Sequence, residues 1–244
     1  MWYEKVIRQL SQEKEYTRQQ IYEALVKEKP KLTFNSFKWI ISEMADNGTI
    51  YRKQRGKYVL RSSIINKSIY KPSISERLLE ISEKIKTEFP SVNFVCFESV
   101  LLNEFLNHLI GRNTFFIFVE KDTIDFVFRY LQEKAEWNVL LNPTKKEWDA
   151  YCIYNNIVML NLISEAPKST DRHHSMSIEQ LLVDIVAEKS FKNLYSQSEL
   201  QKIYNLADKS YLIDYGRLLR YARRRNKANE VKKYIGEHAD AYTR

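Results

Sequence analysis

Four cations fall within six consecutive positions of this chain, at Arg52, Lys53, Arg55 and Lys57, and no carboxylate stands beside them in the sequence. Cationic side chains without a local counter-charge suit phosphate oxygens, and an arginine at the tip of such a segment suits a minor groove. A second set, Asn35, Ser36, Lys38, Trp39 and Ser42, shares one face of any helix that begins near Thr33. Asn matches the edge of adenine, Lys matches guanine or a phosphate, and Ser adapts to either. Trp39 has two readings at this point: it faces outward with its neighbours, or it packs under the cationic segment.

Near the other end, Arg217, Arg220, Arg223, Arg224, Arg225 and Lys227, with Lys232 and Lys233, meet a single acid, Glu230. Arg217, Arg220 and Arg224 recur at i, i+3 and i+7, one stripe of a helix. That stripe is either a second nucleic-acid contact or a solvated face that pairs with acids of its own domain. The candidates for catalysis are sparser. Glu120 and Asp122 leave an apolar run two residues apart, a spacing that lets both face one Mg²⁺ in nucleotidyl or phosphoryl transfer. The preceding Phe97-Glu98-Ser99 lacks the glycine such sites use, and a strand-to-helix junction is also an ordinary place for an acid. His173-His174 sits in a polar stretch with no third metal ligand. Cys96 and Cys152 lie in apolar runs and read as buried, reduced thiols. With no P-loop, no GxGxxG and no cysteine–histidine cluster, the sequence predicts no catalytic residue, no metal and no cofactor.

Charge locates the chemistry. Residues 1–72 contain 15 Lys/Arg against 7 Asp/Glu, whereas residues 73–244 contain 24 of each, so the whole formal charge of +8 belongs to the first third. A basic unit beside a neutral one is the footprint of phosphate binding. With 44% hydrophobic and 13% aromatic residues, the chain has enough apolar surface for a folded core.

The elements that must carry these side chains follow from periodicity. Tyr3, Val6, Ile7 and Leu10 mark an amphipathic helix over 2–13. Thr17 and Gln20 form a capping-box signature opening a second helix, which stops before Pro30. Phe37, Ile40, Ile41 and Met44 define a third helix, closed by Asn47-Gly48. Two β-prone runs, 49–53 and 57–61, flank Gln54-Arg55-Gly56 as a hairpin. Three helices followed by a basic hairpin is the order of a winged helix-turn-helix, whose last helix enters the major groove. Residues 1–62 are therefore expected to form a DNA-binding domain and 63–74 a linker.

From Ser75 onward strands and helices alternate, with strands near 92–97, 113–119, 137–141 and 156–162, all apolar on both faces, and helices over 75–88, 101–109, 123–134 and 145–151. Four further helices follow, over 177–188, 198–206, 214–225 and 228–235. The expected class is α/β (α+β overall), with residues 75–244 an α/β domain ending in a helical bundle. No run approaches the ~18 apolar residues of a membrane span, and the charged N-terminus has no signal-peptide core, so a cytoplasmic protein is expected.

Three stretches, Val158-Met159-Leu160-Asn161-Leu162-Ile163-Ser164-Glu165-Ala166-Pro167, Ile178-Glu179-Gln180-Leu181-Leu182-Val183-Asp184 and Arg217-Leu218-Leu219-Arg220-Tyr221-Ala222-Arg223-Arg224-Arg225, together with the N-terminal winged helix, resemble the AbiEi-type antitoxins of type IV (abortive infection) toxin–antitoxin systems. The resemblance spans nearly the whole chain. It implies repression of the chain's own operon through promoter inverted repeats, cooperatively as an oligomer on DNA. It also implies antitoxicity against a co-encoded nucleotidyltransferase-like toxin without a stable complex. The alternatives are a DNA-tethered transferase using Glu120 and Asp122, and a plain winged-helix regulator whose second domain senses a ligand or dimerises.

Overall fold

Three apolar clusters organise the chain, and the elements are best understood by which cluster each one feeds. The computed structural model describes residues 2–10, 15–46, 49–54, 56–60, 67–134, 137–151, 156–169 and 173–236. The first cluster is made entirely by the basic third. Helix α1 (Trp2–Gln9) contributes Tyr3, Val6 and Ile7, α2 (Arg18–Glu28) contributes Ile21 and Leu25, and α3 (Phe34–Asp46) contributes Phe37, Ile40, Ile41 and Met44. Strands β2 (Ile50–Gln54) and β3 (Lys57–Leu60) close it with Ile50, Tyr58 and Leu60. The capping box forms as its sequence predicts: Gln20 N–H donates to Thr17 Oγ1 at 3.2 Å, and Thr17 N–H donates to Gln20 Oε1 at 2.7 Å. Residues 11–14 and the helix stop at Asn47-Gly48 lie outside the described residues.

One strand was not expected. Tyr16–Thr17, β1, pairs antiparallel with β3, placing Tyr16 opposite Tyr58, so the sheet runs β1-β3-β2. The hairpin turn uses Gly56 at φ +74°, a left-handed conformation that glycine adopts without steric cost.

The neutral part is built on a mixed sheet in the order β4-β5-β7-β6, with β4 (Phe94–Glu98), β5 (Thr114–Glu120), β6 (Asn138–Leu141) and β7 (Asn156–Leu162). β4 and β5 are antiparallel, whereas β5, β7 and β6 run parallel. Alternation along the strands splits their side chains between two clusters. Cys96, Phe115, Ile117, Val119, Ile157 and Met159 meet α4 (Glu76–Glu88) and α5 (Ile124–Glu133) on one face. Phe97, Phe116, Phe118, Val158 and Leu160 meet the C-terminal helices on the other. Burial on both faces is why these strands read as unbroken apolar runs. The free edge of β4 is covered by main chain: Cys96 N–H donates to His174 O at 2.7 Å, and Met176 N–H donates to Cys96 O at 3.0 Å.

The helix expected over 101–109 is instead a short 3₁₀ helix, Ser99–Glu104, followed by irregular chain. The Asn103 side chain explains the break. It accepts from Ile110 N–H at 2.6 Å and donates to Ile110 O at 3.4 Å, folding the backbone back on itself where a helix would continue. After the short α6 (Lys145–Tyr151), the bundle comprises α7 (Ile178–Ala187), α8 (Leu200–Ser210), α9 (Tyr215–Arg224) and α10 (Ala228–Ile235). Nine of the ten residues of α7 are buried, which makes it the central helix against which the others pack. The stretch Lys67–Tyr70 lies on this bundle, whereas Ile74 packs with the α4–α5 cluster. Ser68 exchanges backbone hydrogen bonds with Ser210 (2.8 Å) and Leu212 (2.9 Å), and Lys67 pairs with Asp208 at 2.9 Å. No helix among the described residues is long and apolar enough to cross a membrane.

Candidate nucleic-acid interface

The outward face of α3 is open. Asn35, Ser36, Lys38, Trp39 and Ser42 are all exposed, and Trp39 is 64% exposed, so it does not pack under the hairpin. Ser36 is less free than its neighbours, because its hydroxyl sits 2.9 Å from Thr33 Oγ1 and its N–H donates to the same atom, making the pair a helix cap. Trp39 and Ser36 border a shallow depression shared with Trp2, Lys29 and Lys31.

On the hairpin, Arg52 is exposed, and Arg55 and the side chain of Lys53 lie outside the described residues. Lys57 corrects the expectation of an unpartnered cation: it forms an ion pair with Glu15 at 3.2 Å. Glu15 precedes β1, and the β1–β3 pairing that brings it beside Lys57 involves residues about forty positions apart, so no local reading of charge reveals it. Sequence reasoning also missed a cationic group at the start of α2 and α3. The Arg18 guanidinium carbon lies 5.5 Å from the Phe34 ring centroid, and Lys38 Nζ lies 5.4 Å from the same centroid.

The C-terminal cations divide between positions on α9 and paired positions just beyond its end. Arg220 is exposed; Arg224 is exposed and donates to Ser164 Oγ at 2.7 Å; Arg223 is exposed as well. Arg217 donates to Lys168 O at 2.7 Å. Arg225 is not on the surface. Its side chain is 10% exposed and forms ion pairs with Asp184 at 3.5 Å and with Glu188. Lys227 is paired with Glu230 at 2.5 Å. Arg225 and Lys227 therefore serve their own domain. Helix α9 and strand β2 approach with Cα atoms within 8 Å.

What anchors α9 is a buried polar cluster reaching it from α7. Tyr221 O–H donates to Asp184 Oδ1 at 3.0 Å, and Gln180 Nε2 donates to Asp184 Oδ2 at 3.1 Å. Asp184 is fully buried, and loss of hydration pushes its carboxyl up to about 7 despite the adjacent Arg225 guanidinium. Glu179, also buried, accepts from Asp214 N–H at 3.0 Å, and Asp214 in turn caps α9 through Arg217 N–H at 3.0 Å. Burial raises the Glu179 carboxyl as well.

Elsewhere several of the chemistry-bearing residues are occupied structurally. Glu120 accepts from Asn93 Nδ2 at 2.7 Å, while Asp122 is exposed. Glu98, 1% exposed, accepts from Ser75 N–H at 2.6 Å and Asn113 Nδ2 at 2.5 Å, fixing the start of α4 to the sheet. Ser99 Oγ accepts from Thr114 N–H at 2.8 Å. His174 stacks on Phe94 with centroids 4.3 Å apart, Cys96 is buried, and Cys152 lies outside the described residues. No group of three or more metal-binding side chains occurs among the described residues.

A family model described as a family of unknown function (DUF6577) matches residues 36–241. No curated protein sequence matches the chain. Among solved structures, the crystal structure of the RV2827C protein from Mycobacterium tuberculosis is similar at 12% identity and a TM-score of 0.25, over 96% of this chain and 79% of that one.

Proposed function

The chain belongs to the DUF6577 family, and we propose that it is a cytoplasmic, duplex-DNA-binding repressor of its own promoter that also serves as the antitoxin of a type IV toxin–antitoxin pair. The observation that carries the DNA half is the open face of α3, with Asn35, Lys38, Trp39 and Ser42 exposed on the same unit as the exposed Arg52 and the chain's whole net positive charge. In this reading α3 lies in the major groove, where Asn35 and Trp39 meet base edges and thymine methyl groups, and Arg52, Lys53 and Arg55 hold the backbone or the minor groove. In this reading the exposed Arg220, Arg223 and Arg224 of α9, a helix that approaches β2, extend the cationic surface.

The antitoxin half rests on the resemblance to AbiEi-type antitoxins. It makes a co-encoded nucleotidyltransferase-like toxin the functional partner, without a stable complex, and inverted repeats in the promoter the DNA target. The test is fluorescence anisotropy on the chain's own upstream duplex over a range of salt. Replacing Arg52 and Lys53 by Gln should weaken binding to every duplex and reduce the salt slope by about one to two. An unchanged slope removes the hairpin from the interface. Co-expression with the neighbouring gene product tests the second half, and unrelieved toxicity overturns it.

A further inference from the structure

Arg18 and Phe34, which have been given no role so far, meet Lys38 of the α3 face in one group. Arg18 is the first residue of α2, and its backbone N–H donates to Gly56 O at 2.9 Å, which ties α2 to the hairpin turn. Its side chain runs toward α3, with the guanidinium carbon 5.5 Å from the centroid of Phe34 and 5.6 Å from that of Phe37. Lys38, one helical turn beyond Phe34, holds its Nζ 5.4 Å from the Phe34 centroid. The hairpin turn, the start of α2 and the start of α3 therefore converge on one residue, Arg18.

Two features mark this group as a seat for an anion. Phe34 is 48% exposed, so the ring is an open platform and not a core side chain. Arg18 Nε is buried with no hydrogen-bond partner, and among the described residues neither Arg18 nor Lys38 has a carboxylate within ion-pair distance. A ring face attracts each cation, but it leaves both positive charges uncompensated. Cations fixed on an aromatic ring lose less freedom when a ligand arrives, and a guanidinium so oriented presents a planar fork to phosphate oxygens.

We propose that Arg18 and Lys38, held at the Phe34 ring, bind backbone phosphates of duplex DNA at the edge of the groove that α3 enters. The proposal rests on the DNA-binding reading above and moves Lys38 from base recognition to backbone positioning. It is tested on the full chain with Arg18→Gln, Lys38→Gln and Arg18→Lys, by anisotropy on the upstream duplex and on an unrelated duplex of equal length, across a salt series.

Each Gln variant should lower the salt slope by about one and weaken both duplexes by the same factor, whereas Arg18→Lys should keep the slope. Slopes unchanged in both Gln variants overturn the proposal. A loss confined to the upstream duplex overturns it too, because that pattern belongs to base recognition. If Arg18→Gln fails to fold, the exposed Lys38 decides alone. Absence of salt-dependent binding by the unaltered chain defeats the repressor reading and this site together. An Arg52/Lys53 effect without an Arg18 or Lys38 effect defeats only this site.

Discussion

At the scale of single residues, the ionisable group whose setting departs furthest from water is a carboxyl on α7. Asp184 is taken out of water and surrounded by Gln180, Tyr221, Arg225 and Glu188. Its folded carboxyl titrates near 7 against an ordinary value of 3.8, so the folded state binds this proton more tightly than the unfolded state. The stability it contributes is complete below the ordinary value and is lost as pH rises through the folded one. The melting temperature should therefore fall as pH rises from about 4 to about 7, and Asp184→Asn should flatten that dependence. A melting profile equally steep in the variant excludes Asp184 as its source. None of this was legible in the sequence, where Asp184 closes an ordinary amphipathic pattern. Its partners at 221 and 225 lie some forty positions away, and only the packing of α7 against α9 brings them together.

At the scale of elements, α9 shows why a run of cations is ambiguous when read linearly. The stripe at 217, 220 and 224 is correct as a helical face, but Arg225 follows the last helical turn and points back toward α7, where Asp184 and Glu188 wait. Removing one partner of a buried ion pair leaves the other uncompensated, at a cost of roughly 3–5 kcal/mol. Arg225→Gln should therefore destabilise the fold by an amount in that range, whereas Arg220→Gln should change stability by less than about 0.5 kcal/mol. Denaturant titration of the two variants separates them, and equal midpoints overturn the assignment. The elements themselves were largely legible because their signals are local: the Thr17–Gln20 capping box and the glycine at the hairpin turn appear where the sequence places them, and the helices expected from 75, 177 and 214 open on Ser75, Ser177 and Asp214 as side-chain caps. Two departures have non-local or side-chain causes. β1 is only two residues long and exists because β3 pairs with it, and the 3₁₀ helix at Ser99–Glu104 ends where the Asn103 side chain captures Ile110.

At the scale of the whole molecule, the division into a basic unit and a neutral one was visible as a step in charge, but the course of the connecting chain was not. Lys67–Ser75 carries no helical period, yet its first residues lie against the bundle, with Tyr70 buried in the same cluster as Leu181 and Tyr215. Its ring meets Tyr211 edge-on at 5.0 Å. A fragment starting at Lys67 should accordingly be more stable than one starting at Glu76, and Tyr70→Ala in the full chain should cost about 2–4 kcal/mol, the range for emptying a large core site. Matching denaturation midpoints for the two fragments contradict this. The same cluster has a consequence for synthesis on the ribosome. Its members run from Tyr70 to Ile235, whereas every member of the first cluster falls between Tyr3 and Leu60. The basic unit can thus complete its own core while most of the chain is still unmade. The bundle cannot close until Ile235 has emerged, and in that interval the large apolar faces of β5 and β7 depend on whatever shields a nascent chain.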